Sequence, residues 1–283
     1  WQTLEDLKGS HFPKNPKTIY TANLHFSADK FKIWMAEKKK SGTTIVIGEH
    51  GGLRIAKFNE SHDYEKKIAD YYLFTGAKFS HDKKFIPIGN FRMQGKTLLP
   101  KLNGKIVIIT TTVPQYAYII RASIIGPQFF NYFKEVMRLI DSIETKNIIV
   151  RVNKPDYDWH QSEQIRDRFP NIEIDEGNKK LIDLLKNSSM AVCTYNGTVF
   201  IDTISLNFPT IITRNPIYWE ISDEAREIFL DLELAGIFHC TPEKAAKFIN
   251  SISSDINKWW FSDQVQSALD KFRFSYGSKP CDV

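Results

Sequence analysis

The chain has 283 residues, 42% apolar and 25% charged, with 14 Gly and 12 Pro, which excludes disordered, collagenous and low-complexity classes. Its net charge of +5 suits an anionic ligand or an anionic membrane surface and is too shallow to indicate nucleic acid. No run approaches the roughly 20 apolar residues of a membrane-spanning helix, no export signal opens the chain, and Cys193, Cys240 and Cys281 are too scattered for a disulfide scaffold or a zinc site; a cytoplasmic setting fits.

Short β-branched runs predict strands at Thr18–Ala22 and Thr43–Ile47, with a helix over Ala28–Lys39 between them. Gly89, Gly95, Pro100 and Gly104 then interrupt all periodicity across Ile88–Gly104. Beyond that break, strands are predicted at Ile106–Thr112, Asn147–Val152, Met190–Thr194 and Pro209–Thr213. They alternate with helices at Pro127–Ile143, Ser162–Phe169, Lys179–Asn187 and Thr198–Leu206. A helical tail follows, over Asp223–Ala235, Pro242–Ser251 and Asp255–Phe274. Strands separated by helices mean βαβ units and a parallel sheet covered on both faces. The expected division is 1–100 and 101–283. The first part has two or three strands, too few for a complete sheet.

Three constellations carry chemistry. Gly48-Glu49-His50-Gly51-Gly52 follows the apolar strand Thr43–Ile47, and ligands bind at the carboxyl ends of strands in open α/β sheets. Its glycines permit close approach, and His50 offers a ring nitrogen able to accept a proton; the plainer reading is a histidine satisfying turn carbonyls. In Thr194-Tyr195-Asn196-Gly197-Thr198 a buried strand runs through a small polar turn into a helix, a place for a phosphate. The plainer reading there is N-capping by Asn196 or Thr198. Arg151 and Lys154 stand at a third strand end, where they can neutralise phosphate or simply be solvated. Glu60, His62, Asp63 and Glu65 form an acidic patch with a histidine, either a face entering a cleft or a solvated one. Neither GxxxxGK[ST] nor GxGxxG occurs.

Together these motifs resemble the C-terminal part of a family of surface-carbohydrate transferases best known from spirochaetes and other bacteria with elaborate outer polysaccharides. The resemblance rests on Thr21-Ala22-Asn23-Leu24-His25, Phe31-Lys32-Ile33-Trp34, His50-Gly51-Gly52, Ile68-Ala69-Asp70, Thr111 to Pro114, Arg151, Thr194 to Thr198, Asn207-Phe208-Pro209-Thr210, Gly236-Ile237-Phe238-His239 and Trp259-Trp260.

It implies an α/β, GT-B-like fold of two Rossmann-like domains, the N-terminal one incomplete, related in layout to CMP-ulosonic acid transferases and CDP-glycerol glycerophosphotransferases. Residues 1–100 would then be the C-terminal part of an acceptor-side domain and 101–283 the nucleotide-donor domain. The implied activity moves a sugar, such as a CMP-activated ulosonic acid, from a nucleotide donor to a bacterial surface glycan such as lipopolysaccharide. His50 would be the catalytic residue, with Glu49 and Glu60 next in line. Arg151, Lys154, Thr194, Tyr195, Asn196, Gly197 and Thr198 would hold the donor. No cofactor and no metal are expected, although Asp156-Tyr157-Asp158 is a DxD triplet. The expected partners are a cytidine-type donor and a glycan or glycolipid acceptor, with peripheral contact at the inner face of the cytoplasmic membrane compatible with the charge. A glycerophosphotransferase and a non-catalytic nucleotide- or glycan-binding module remain the alternatives.

Overall fold

A computed structural model describes residues 12–57, 60–76, 82–90, 93, 96–116, 124–145 and 147–277. The first sheet is parallel throughout, in the order β1 (Thr18–Thr21), β2 (Thr44–Gly48), β3 (Tyr71–Phe74) and β4 (Phe85–Pro87). It thus has four strands among the described residues. The two short strands β3 and β4 escape a periodicity argument because three or four residues hold too few alternations. Alternation sends Ile19, Ile45, Ile47, Tyr72 and Phe74 into a core closed by Phe31 and Met35 of helix α2 (Asp29–Lys40). Tyr20 and Tyr71 point the other way and are exposed. Two further helices belong to this part of the chain: the single turn α1 (Leu24–Ser27) after β1, and α3 (Glu60–Ile68) before β3. Asp70 ties the layer together, its carboxylate accepting the Ile45 N–H (2.8 Å) and pairing with Lys39 (2.8 Å).

The second sheet has six parallel strands: β5 (Lys105–Ile109), β6 (Ile148–Arg151), β7 (Glu173–Asp175), β8 (Ser188–Cys193), β9 (Thr210–Thr213) and β10 (Phe238–His239). Their spatial order is β7-β6-β5-β8-β9-β10, the doubly wound arrangement in which the chain reverses direction between its first and fourth strands. β8 and β9 are buried at every residue and β5 at all but its first, because helices cover both faces. One face packs on α4 (Gly126–Ser142) and α9 (Pro242–Ile252). The apolar residues of α4 recur at helical spacing, Phe129, Tyr132, Phe133, Val136, Leu139 and Ile140. The other face packs on α7 (Thr198–Ser205), α8 (Asp223–Leu234) and α11 (Asp263–Phe272). Shorter helices α5 (Gln161–Arg168) and α6 (Leu181–Leu185) complete the crossovers.

The single tail helix expected over Asp255–Phe274 is broken. Helix α10 (Ile256–Trp260) ends at Phe261, α11 begins afresh after Ser262, and a π-turn over Arg273–Gly277 completes the tail. Trp260, fully buried, donates to the Asn207 carbonyl (3.0 Å), and Asn207, at φ 53°, also receives Arg273 Nη2 on its side chain (2.7 Å). Several of the quoted motif residues therefore build the second layer. His239 hydrogen-bonds the Gly236 carbonyl (3.0 Å), and a Cβ on Gly236 would run into the Phe248 ring. No helix of the described residues is long and apolar enough to cross a membrane.

Candidate functional site

The strand order of the second sheet reverses between β5 and β8, the switch point at whose carboxyl ends doubly wound sheets take their ligands, and Thr194 to Thr198 leave β8 there. Thr194 is buried. Its N–H and hydroxyl bond the Ile109 carbonyl (3.2 and 2.9 Å), and the hydroxyl also meets the Tyr132 phenol (2.7 Å), which receives the Thr111 N–H (2.8 Å). That hydroxyl is fully engaged in clasping β8 to β5, so Thr194 shapes the turn rather than reaching out of it. Burial pushes the Tyr195 phenol up, so it stays protonated. The ring lies against Gly197, where any Cβ would collide with it.

Helix α7 starts at Thr198 with Gly197 as its cap, and among the described residues no side chain caps its first turn. By contrast α8, α9 and α10 are capped by Ser222, Thr241 and Asp255. The N-capping reading of Asn196 and Thr198 is therefore not realised. Unpaired N–H groups at the positive end of a helix dipole are a site for an anion.

The His50 loop faces this turn. A Cβ on Gly51 would lie 2.5 Å from Thr198 Oγ1, and Gly52, at φ 74°, holds a left-handed backbone conformation that a side chain would strain while packing against Ile201. His50 is exposed and has no hydrogen-bond partner among the described residues. Motifs separated by some 140 positions thus meet where the Gly51-Gly52 backbone rests on Thr198 and Ile201.

The remaining predicted residues fall differently. Glu49 is turned inward, its carboxylate accepting the Thr75 N–H and hydroxyl (3.0 and 3.2 Å) and facing Arg54 Nε (3.4 Å), with 3% side-chain exposure. It orders the loop from within and does not face solvent as His50 does. Glu60 opens α3, and its side chain lies outside the described residues. Arg151 is paired with the buried Asp175 across β6 and β7 and donates to the Lys179 carbonyl (2.9 Å), so its charge is already balanced. Lys154 is exposed in the loop after β6. Asp156 of the DxD triplet caps α5, accepting the N–H groups of His160 and Gln161.

Sequence reasoning missed a buried cluster beside the His50 loop. His25 Nε2 meets Glu65 Oε1 (3.0 Å), both fully buried, and the Tyr72 phenol donates to Glu65 Oε2 (2.9 Å). His62 stacks on Tyr72, with ring centroids 5.3 Å apart, and burial pulls its pKa down to about 4. The acidic patch is thus partly an interior network. Its sequence signal is His62 and Glu65 three residues apart on the short stretch Glu60–Ile68, with His25 contributed from forty positions before Glu65.

Two α/β layers with parallel sheets, meeting where a strand-end loop of one faces a helix N-terminus of the other, define the GT-B class of fold. Solved structures of the spinosyn rhamnosyltransferase SpnG share it. They match at 12% identity and TM-score 0.50, covering 93% of this chain and 70% of that one. The same enzyme complexed with spinosyn aglycone and with thymidine diphosphate matches at the same identity and TM-score. No curated protein sequence matches the chain. The family model described as LIC12162 family transferase matches residues 1–279, and the chain belongs to that family.

Proposed function

We propose that this protein is a glycosyltransferase that moves a sugar from a nucleotide donor to a bacterial surface glycan. The carrying observation is the apposition of the His50 loop to the uncapped N-terminus of α7 at the switch point of the six-stranded sheet. Residues 101–283 form the donor side and 1–100 the acceptor side in this reading. The donor phosphate sits on the first-turn N–H groups of α7, with Asn196 and Thr198 hydroxyl or amide groups beside it and Lys154 as a nearby cation. Charge developing on the leaving phosphate is met by oriented dipoles that need no rearrangement as the glycosidic bond breaks. His50 takes the acceptor hydroxyl proton or hydrogen-bonds the leaving phosphate. A cytidine-type donor follows from the sequence resemblance, as do a glycan or glycolipid acceptor and a cytoplasmic location at the inner membrane face.

Calorimetric titration with CMP, CDP, UDP and dTDP tests the donor reading. Asn196→Ala combined with Thr198→Ala should weaken the nucleotide that binds by about 1–3 kcal/mol, the scale of hydrogen bonds to a charged group. Unchanged affinity in the double variant would return the turn to a purely structural role. Hydrolysis of the matching sugar donor separates an enzyme from a non-catalytic module.

A further inference from the structure

The segment that follows the His50 loop belongs to the second layer. Ile55 is fully buried in the core beneath the six-stranded sheet. Ala56 bridges Ile221 in antiparallel fashion, the Ser222 N–H reaches the Ile55 carbonyl (2.8 Å), and the Lys57 N–H reaches the Glu220 carbonyl (3.0 Å). A strand of the four-stranded sheet therefore delivers His50, and the opposite layer anchors the residues just after it.

Arg54 joins these parts. Its Nη2 donates to the carbonyls of Thr75, at the end of β3, and of Ser275 in the π-turn (2.9 Å for the latter), while its own carbonyl accepts the Ser222 hydroxyl (3.2 Å). Its Nε faces the Glu49 carboxylate, one residue before His50. The guanidinium lies over the rings of Phe74 and Tyr276, at 4.9 and 5.3 Å from their centroids. Gly76 presses so closely on the Ser275 backbone that no side chain fits between them. One planar cation thus touches the first sheet, the His50 loop and the Arg273–Gly277 turn that follows α11, a role that a fork of fixed donors fills and a flexible ammonium does not.

We propose that Arg54 is the positioning residue of the site, fixing the His50 loop against the α7 turn through Glu49 and the Arg273–Gly277 turn. It touches no reacting atom in this reading, which rests on the assignment of His50 and the α7 turn given above.

Hydrogen exchange and histidine NMR test it on Arg54→Ala and Arg54→Lys, with CMP as probe and the His50 ring signal assigned through His50→Gln. Without ligand, Arg54→Ala should raise exchange at least tenfold at residues 49–57 and 273–277 and leave the amides of β5 and β8 as slow as in the wild type. With CMP, the wild-type His50 signal should shift on titration. The shift should fall by more than half in Arg54→Ala, while calorimetric affinity stays within threefold, and Arg54→Lys should recover part of it. Unchanged exchange at 49–57, or an undiminished His50 shift in Arg54→Ala, overturns the assignment. General loss of protection in Arg54→Ala makes Arg54→Lys the deciding variant: it overturns the proposal if its exchange at 49–57 and 273–277 matches wild type, and supports it if only those segments loosen. If CMP neither binds nor shifts His50 in the wild type, the cytidine-donor reading fails, and the ligand-free exchange still decides the role of Arg54.

Discussion

Placing a methyl group on Gly51 tests whether the two halves of the site touch. A Cβ there would lie 2.5 Å from Thr198 Oγ1, 2.7 Å from Cγ2 and 3.2 Å from Cβ. Rotating the threonine relieves at most one of the first two contacts, because its two heavy γ atoms fill two of the three staggered positions, and leaves the third, so the loop must retreat by a few tenths of an ångström or more. Overpacking of this kind costs about 1–3 kcal/mol. Truncating the neighbour removes Oγ1 and Cγ2, so in a Thr198→Ala background the cost of Gly51→Ala should fall below about 1 kcal/mol. Urea unfolding of the four proteins of this cycle reads the coupling directly, with an expected interaction of about 1–2 kcal/mol. Equal destabilisation by Gly51→Ala in both backgrounds would mean that the loop does not rest on the helix, and the site as described would dissolve.

Two further outcomes follow from the ionisable groups. Arg151→Ala should destabilise the fold by about 3 kcal/mol, because it strands the buried Asp175 carboxylate without its cation. Lys154→Ala should leave urea stability within about 0.5 kcal/mol and lower only nucleotide affinity; the reverse ranking in urea melts would contradict the pairing. His62 titrates at about 4 in the fold against 6.5 when free. Its contribution is therefore complete above about pH 6.5 and is lost as the pH falls toward 4, where the unfolded chain binds the proton first. A shift of this size corresponds to about 3 kcal/mol, so His62→Phe should flatten the acid limb of the stability profile, and an unchanged limb would refute the assignment.

Much of the second sheet is legible in the sequence. The strand expected at Met190–Thr194 reads as buried because nothing in it is charged, the observed strand starting two residues earlier at Ser188, and Asn196-Gly197-Thr198 marks the turn into α7. The two-residue strand β10 carries no period at all and exists only because Phe238 and His239 lie alongside β9. Local pattern is equally silent on pairings made over long separations. Arg151 looks like a free cation until Asp175 arrives from the next strand. Glu65 looks solvated until His25, forty positions earlier, meets it in the interior. The break between α10 and α11 had a visible cause, since Ser262-Asp263 is an ordinary helix start, but the surrounding helical period hides it. Arg54 stands two residues after Gly52 with no motif of its own, and its role comes entirely from partners at Thr75 and Ser275.

The central claim, that His50 acts on a donor held by the α7 turn, is met most directly by measuring turnover and nucleotide affinity together for His50→Ala. Because His50 is exposed and unpartnered among the described residues, its removal should leave the thermal midpoint and nucleotide affinity close to wild type. Turnover should fall by about 10²–10⁴-fold, the range for a positioned proton transfer. A variant that transfers sugar at near wild-type rate, or that loses turnover only because it unfolds, would contradict the account.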